Sequence, residues 1–254
     1  DKHFPRAQVQ DLAAMGLMGV AIPEAWGGAG MDATALAIAC DEISAGDGST
    51  CTIVMVTNLA ANILLGYGSD VQREEFLKPL ARGEMLGAFA LTEPQAGSDA
   101  AAITTRAEKN GPHYVLNGVK QFITSGKTAD LAIVFAVTDK AARARGISAF
   151  VVPTSTPGYK VARLEDKTGQ RASDTAQIVL ENCKVPAAQR LADEGAGYRI
   201  ALANLESGRI NVAAQASGMA RAALEAALAY AKERKSMGKT LFEHQAVNFR
   251  LADM

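Results

Sequence analysis

The sequence predicts a multi-domain protein of α and β structure: a helical N-terminal domain, a small β-barrel or sandwich in the middle, and the start of a truncated C-terminal helical bundle. Two changes of apolar period carry this prediction. Up to residue 86 apolar residues recur at helical spacing, after Gly87 they alternate or form short runs between turn residues, and beyond Pro186 the helical spacing returns. The predicted boundaries are therefore 1–86, 87–190 and 191–254. A chain of 254 residues can bury several packed layers.

In the first region Val9, Leu12, Ala13 and Met15 share a helical face that begins near Arg6 and is broken by Gly16 and Gly19. Ile22 to Gly30 is an irregular, glycine-rich loop. Its Gly28-x-Gly30-x-x-Ala33 nominally matches a dinucleotide fingerprint, but no buried strand leads into it, and Gly-x-Gly recurs at Gly66 and Gly68 and at Gly195 and Gly197. Asp32 can cap a helix whose inner face is Leu36, Ala39, Cys40 and Ile43. A second helix from about Ser49 is apolar over most of its circumference, through Ile53, Val56, Leu59, Ala60, Ile63 and Leu64, which predicts a central position. Ser69 with Gln72 forms a capping box for a third, ending near Arg82-Gly83.

In the middle region Thr105, Ala107 and Lys109 alternate with Arg106 and Glu108, Asn110-Gly111 marks a hairpin, and Tyr114 begins the return strand. Further strands are predicted at 131–137, 147–152, 159–164 and 177–180, with a solvated loop at 140–146. A long helix then covers most of 195–236, with an apolar stripe of Ile200, Leu202, Leu205, Ile210, Val212, Ala216, Met219, Ala223, Leu224, Ala227 and Leu228. Gly208 and Gly218 interrupt it and predict close packing. Ser236 to Thr240 is a turn, and another helix starts near Phe242.

The charge balance of 26 basic and 27 acidic residues, net −1, predicts neither nucleic acid nor an anionic membrane as partner. The longest unbroken apolar run, Leu131 to Val137, is too short to span a bilayer, and no segment reads as a signal peptide. Cys40, Cys51 and Cys183 lack C-x-x-C spacing and read as small core residues in a reducing compartment. His3, His113 and His244 are too widely separated to suggest a metal cluster. The sequence opens at Asp1 and stops within a helical pattern, which predicts a fragment of a longer chain.

Chemistry concentrates in Ala88 to Ile103, where a short apolar strand runs into Thr92-Glu93-Pro94 and Ala96-Gly97-Ser98-Asp99. Hydroxyls, free backbone N–H groups and a glycine form a cradle for a flat, polar-edged group or a phosphate, although a strand ending in a plain turn fits the same residues. A second such segment is Phe122-Ile123-Thr124-Ser125. Rival motifs fail on spacing. Gly126-Lys127-Thr128 and Gly238-Lys239-Thr240 look like the end of a P-loop, but Gln121 and Glu233 stand where its first glycine belongs. No G-x-S-x-G elbow occurs.

Thr92 to Asp99 resembles the signature T-E-P-x-A-G-S-D of the acyl-CoA dehydrogenase family. Phe122-Ile123-Thr124 resembles that family's W-I-T, with Phe for Trp. Glu233-Arg234 through Gly238, then Leu241 and His244-Gln245, resembles E-R-x-x-F-G followed by H-Q, with Met237 for Phe. The loop Pro23 to Gly30 is similar to one beside the family's substrate entrance, and the order of helical, all-β and helical domains is also the family's.

The resemblance implies FAD held by Phe89, Leu91, Thr92, Gly97, Ser98, Phe122, Ile123 and Thr124. It implies that Arg234, Ser236, Met237, Leu241, His244 and Gln245 reach a flavin held mainly by a neighbouring subunit, in a homotetramer. Ser98, Glu206 and Arg209 would contact an acyl-CoA substrate. The implied activity is α,β-dehydrogenation to a trans-enoyl-CoA, short- or branched-chain-like, in fatty acid or branched-chain amino acid catabolism. Electrons would pass to an electron-transfer flavoprotein, in a bacterial cytoplasm or the mitochondrial matrix. A flavin oxidase or monooxygenase on the same fold, or a catalytically silent acyl-CoA or flavin-binding subunit, are the alternatives.

No catalytic residue is assigned. In most of the family the basic glutamate lies downstream of any segment present here, and a minority place it where this chain has Gly208. Glu206, two residues earlier, points about 200° around the helix from that position.

Overall fold

The computed structural model describes residues 2–254. Helix α1 (Arg6–Ala14) leads through the glycine-rich loop to α2 (Ala33–Gly46). The Asp32 carboxylate accepts the Ala35 N–H at 2.9 Å, and Leu36 and Cys40 turn inward as the spacing predicts. Asp47 starts α3 (Gly48–Tyr67) by accepting the N–H groups of Ser49 at 3.2 Å and Thr50 at 2.8 Å. Among the described helices α3 alone is long and apolar enough to cross a membrane, but 72% of that apolar window is buried inside the protein, as a core helix requires.

The third predicted helix begins with the expected capping box at Ser69 and Gln72 and consists of α4 (Asp70–Gln72), a π-helical turn (Arg73–Leu77) and α5 (Lys78–Ala81). Pro79 brings no N–H to the ladder, and the widened turn lies just ahead of it. Arg73 and Lys78 flank the Trp26 ring, with their charged groups 5.8 and 5.6 Å from its centroid.

One sheet of eight strands follows, in the order β6-β7-β3-β2-β4-β5-β8, with β1 (Gly87–Ala90) parallel to β4 (Leu131–Val137). The turn at Gly111-Pro112 joins β2 (Arg106–Asn110) to β3 (His113–Thr124). β5 (Ile147–Pro153) and β6 (Tyr159–Leu164) lie where the period placed them. β7 is longer than the predicted 177–180: it runs Thr175–Pro186 because it pairs with both β3 and β6. β8 (Arg190–Leu191) closes the order beside β5.

Along β4, Ala132, Val134 and Ala136 enter a core shared with Tyr114, Phe150, Ile178 and Leu180, whereas Leu131, Ile133 and Phe135 face a second core against α3, α5 and the long helix. Tyr114 on β3 and Phe150 on β5, separated by two strands in the order, have ring centroids 4.9 Å apart. The sheet therefore curls around the first core and presents its outer face to the helices. Gly87 lets α3 approach β1, since a Cβ there would lie 2.6 Å from the Ala60 methyl.

Helix α6 (Gly197–Glu233) corrects the predicted stripe. Leu202, Ile210, Val212 and Met219 are exposed, and the inward line is Ile200, Ala201, Asn211, Gln215 and Gly218. The cause is how the neighbours approach: a Cβ at Gly218 would lie 2.0 Å from the Asp41 carbonyl oxygen on α2, and Gln215 reaches the Gly48 carbonyl on α3. Gly208, also predicted to mark close packing, has nothing within 4 Å of an added Cβ. β9 (Lys235–Ser236) and β10 (Lys239–Thr240) form a hairpin whose turn residues Met237 and Gly238 have φ of 52° and 83°. It leads to α7 (Gln245–Asp253).

Candidate functional site

The segment after β1 is fastened from beneath. Glu93 and Ala96 exchange backbone hydrogen bonds of 3.1 and 3.0 Å, closing a tight turn that leaves Gly97, Ser98 and Asp99 exposed. The Glu93 carboxylate is buried and accepts from Lys120 Nζ at 2.8 Å, Thr104 N–H at 2.6 Å and Thr105 N–H at 3.0 Å. Lys120 also donates to the Leu91 carbonyl at 3.0 Å. Burial opposes ionisation of Glu93, but Lys120 and the Thr104 and Thr105 donors outweigh it and hold the carboxyl down to about 2. Burial pushes the Lys120 ammonium down to about 8 against the pull of Glu93.

This pair has no assigned role in the sequence reading, although one signal was present. Lys120 follows Tyr114, Leu116 and Gly118 at the inward positions of an alternating strand, and an inward lysine requires a buried partner.

The same clamp sets the second segment. Gln121 N–H donates to the Thr92 carbonyl at 2.8 Å, joining the loop after β1 to the end of β3. There the register with β7 shifts between Lys120 and Ile123, and Phe122 takes φ 57° with 61% of its surface exposed. A bulky residue in the left-handed region is strained, and this one is held so by the bulge. Among the other residues singled out by sequence, Leu91 and Ile123 are core residues, and Phe89 packs on Phe135 with centroids 5.0 Å apart. The hydroxyls of Thr92, Ser98 and Thr124 make no hydrogen bond among the described residues.

Thr124 and Thr52 stand where two cavities meet. One, of about 470 Å³, is mainly apolar and is lined by Met55, Val56 and Leu59 of α3 and by Leu205, Gly208, Arg209, Asn211 and Val212 of α6. The other, of about 700 Å³, is polar and is walled by the loop from Asp166 to Gln170. That loop is tied down by Gln170 Oε1, 2.7 Å from the Thr52 hydroxyl, although Gln170 has a φ of 48°. Thr52, Met55, Gln170 and Asn211 are absent from the sequence-predicted set, because their convergence depends on how α3, α6 and the β6–β7 loop pack.

The structure thus brings Thr124 together with Arg209. It leaves Glu206 exposed and outside the apolar cavity. Arg234, Ser236, Met237, Leu241 and His244 gather around the β9–β10 hairpin, where Leu241 N–H donates to Arg234 O at 2.8 Å and the His244 ring lies 3.1 Å from Ser236 O. Gln245 begins α7 beside them. None of these lines either cavity at Thr124. A separate space of about 630 Å³, bordered by Phe4, Lys127, Asp166 and Ser173, contains none of the predicted site residues.

Residues 1–84, 88–183 and 195–254 match, in that order, the families described as acyl-CoA dehydrogenase N-terminal domain, middle domain and C-terminal domain. The human mitochondrial short-chain specific acyl-CoA dehydrogenase is 44% identical over 252 residues, which are 99% of this chain and 61% of the human protein's length. The structure of butyryl-CoA dehydrogenase from Megasphaera elsdenii superposes with a TM-score of 0.95 at 42% identity, covering 99% of this chain and 67% of that one. The prolyl acyl carrier protein oxidase AnaB superposes with a TM-score of 0.94 at 34% identity, covering 99% and 68%. Sequence and architecture agree from the N-terminal helices to α7, and the chain belongs to the acyl-CoA dehydrogenase family.

Proposed function

We propose that this chain binds FAD and an acyl-CoA thioester, and that it forms part of an enzyme desaturating a short acyl group between its α and β carbons. The observation that carries this reading is the apolar chamber between α3 and α6, which meets a polar cavity at Thr52 and Thr124 beside the bulge that projects Phe122. The names of the short-chain and butyryl-CoA relatives support a short acyl group.

The residues present fit FAD. Thr92, Ser98 and Thr124 offer hydroxyls without partners among the described residues, Phe122 offers an exposed aromatic face, and the space beside Gly97 is open. Bound there, FAD would take up the β-hydrogen as hydride. Thr92, Ser98 and Thr124 would hold its polar edge, Phe122 would cover the ring, and the side chains of α3 and α6 would keep water from the acyl chain. Ser98, Arg209 and Glu206 would face the coenzyme A portion.

Among the described residues no carboxylate lines the apolar cavity, so removal of the α-proton calls for a group that these residues do not provide. Electrons would then leave to an electron-transfer flavoprotein. The relation to an acyl carrier protein oxidase favours one second reading, an oxidase, which rapid aerobic reoxidation of the reduced protein would distinguish.

The test is an anaerobic titration of the FAD-loaded protein with butyryl-, isobutyryl- and octanoyl-CoA, read by flavin absorbance. The expected result is a perturbed spectrum without bleaching, and bleaching by butyryl-CoA in Gly208→Glu, because the cavity leaves room for a side chain there. No spectral response to any thioester would end the acyl-CoA reading. Bleaching by the unaltered protein that Glu206→Gln abolishes, with binding intact, would make Glu206 the base.

A further inference from the structure

Two carboxamides lie on the buried face of α6, and they differ. Gln215 donates to the Gly48 carbonyl at 2.7 Å and to the Thr52 hydroxyl at 2.8 Å, which ties α6 to the start of α3. The side chain of Asn211, one turn earlier and only 8% exposed as a residue, makes no hydrogen bond among the described residues. It lines the apolar cavity opposite Met55 and Val56. Its carboxamide reaches the cavity, where water can serve it; an acyl chain that displaces this water leaves the amide without a partner, at a cost on the order of 1–3 kcal/mol, because the cavity wall is mainly hydrocarbon. A bound acyl group avoids that cost when it supplies the partner itself.

We infer that Asn211 is a specificity-determining residue, selecting an acyl group that carries a neutral oxygen, hydroxyl or carbonyl, beyond its β carbon. The inference rests on the acyl-CoA reading above. The oxygen is placed beyond the β carbon because a carbonyl at the α or β carbon leaves no hydrogen there to remove, and a hydroxyl there would give an enol rather than an enoyl thioester. It must be neutral because the surrounding wall is apolar, and the one cation on the rim, Arg209, is itself exposed. A carboxamide presents two donors and an acceptor, so it can serve a hydroxyl or a carbonyl equally.

Calorimetric titration of the FAD-loaded protein with butyryl-CoA, γ-hydroxybutyryl-CoA and γ-oxovaleryl-CoA tests this. The unaltered protein is expected to bind at least one oxygenated thioester more tightly than butyryl-CoA. Asn211→Leu, which keeps the branch at Cγ without its polar atoms, is expected to weaken that binding by about tenfold and to tighten butyryl-CoA, reversing the order. Should Asn211→Leu fail to fold, Asn211→Ala serves the same comparison. Preference for butyryl-CoA in the unaltered protein, or an order of affinities that neither variant changes, would overturn the role of Asn211 while leaving the acyl-CoA reading intact. Failure of all three thioesters to bind would overturn both.

Discussion

Lys120 and Glu93 are both removed from solvent and lie 2.8 Å apart. Breaking such a pair strands a charge, so Glu93→Gln and Lys120→Met are each expected to cost about 3–5 kcal/mol, and the double variant less than their sum, as read by urea denaturation. Their titration gives a second readout. The folded carboxyl of Glu93, at about 2, lies below its unfolded value of about 4.3, so its contribution is complete above the unfolded value and is lost as pH falls through the interval between them. Lys120 has the same sign at the basic end: with a folded value of about 8 against about 10.4 unfolded, its contribution to stability grows as pH rises through that window. Glu93→Gln should therefore flatten the acid limb of the stability curve, and an acid limb unchanged by the substitution would remove Glu93 as its source.

At the level of the element, the two glycines of α6 separate packing from propensity. Gly218→Ala would bring a methyl to 2.0 Å from the Asp41 carbonyl and is expected to cost about 1–3 kcal/mol. Gly208→Ala meets nothing within 4 Å and is expected to stabilise by about 0.5–1 kcal/mol. Melting temperatures of the two variants moving in the same direction would contradict this packing. The pair also marks the limit of what the sequence discloses. The caps at Asp32, Ser69 and Gln72 were legible because a cap is made by residues three apart, and the strands because alternation is local. The inner face of α6 was not legible, since Gly218 faces inward against the Asp41 carbonyl of α2, Gln215 against the Gly48 carbonyl and Thr52 hydroxyl of α3, and Asn211 onto the cavity, all set by how the helices pack. The Glu93 and Lys120 pair joins residues 27 apart through the meeting of two strands.

The whole molecule carries the proposal of shared sites. Met237 stands 92% exposed at the tip of a left-handed turn, with Arg234, Leu241 and His244 around it, and these are the residues expected to complete a site on a neighbouring subunit. Sedimentation velocity is expected to show a species larger than a monomer, and Arg234→Ala is expected to reduce both its size and its retained FAD. A monomer with full flavin occupancy would contradict the shared site. Within one subunit, β4 links what the alternation of its side chains divides. Ala132, Val134 and Ala136 belong to the core inside the sheet, and Leu131, Ile133 and Phe135 to the core beneath the helices, so neither can open without exposing residues of the other. Helical layer and sheet are thereby expected to unfold as one unit, and hydrogen exchange is expected to show the β4 amide protons protected until the entire subunit unfolds.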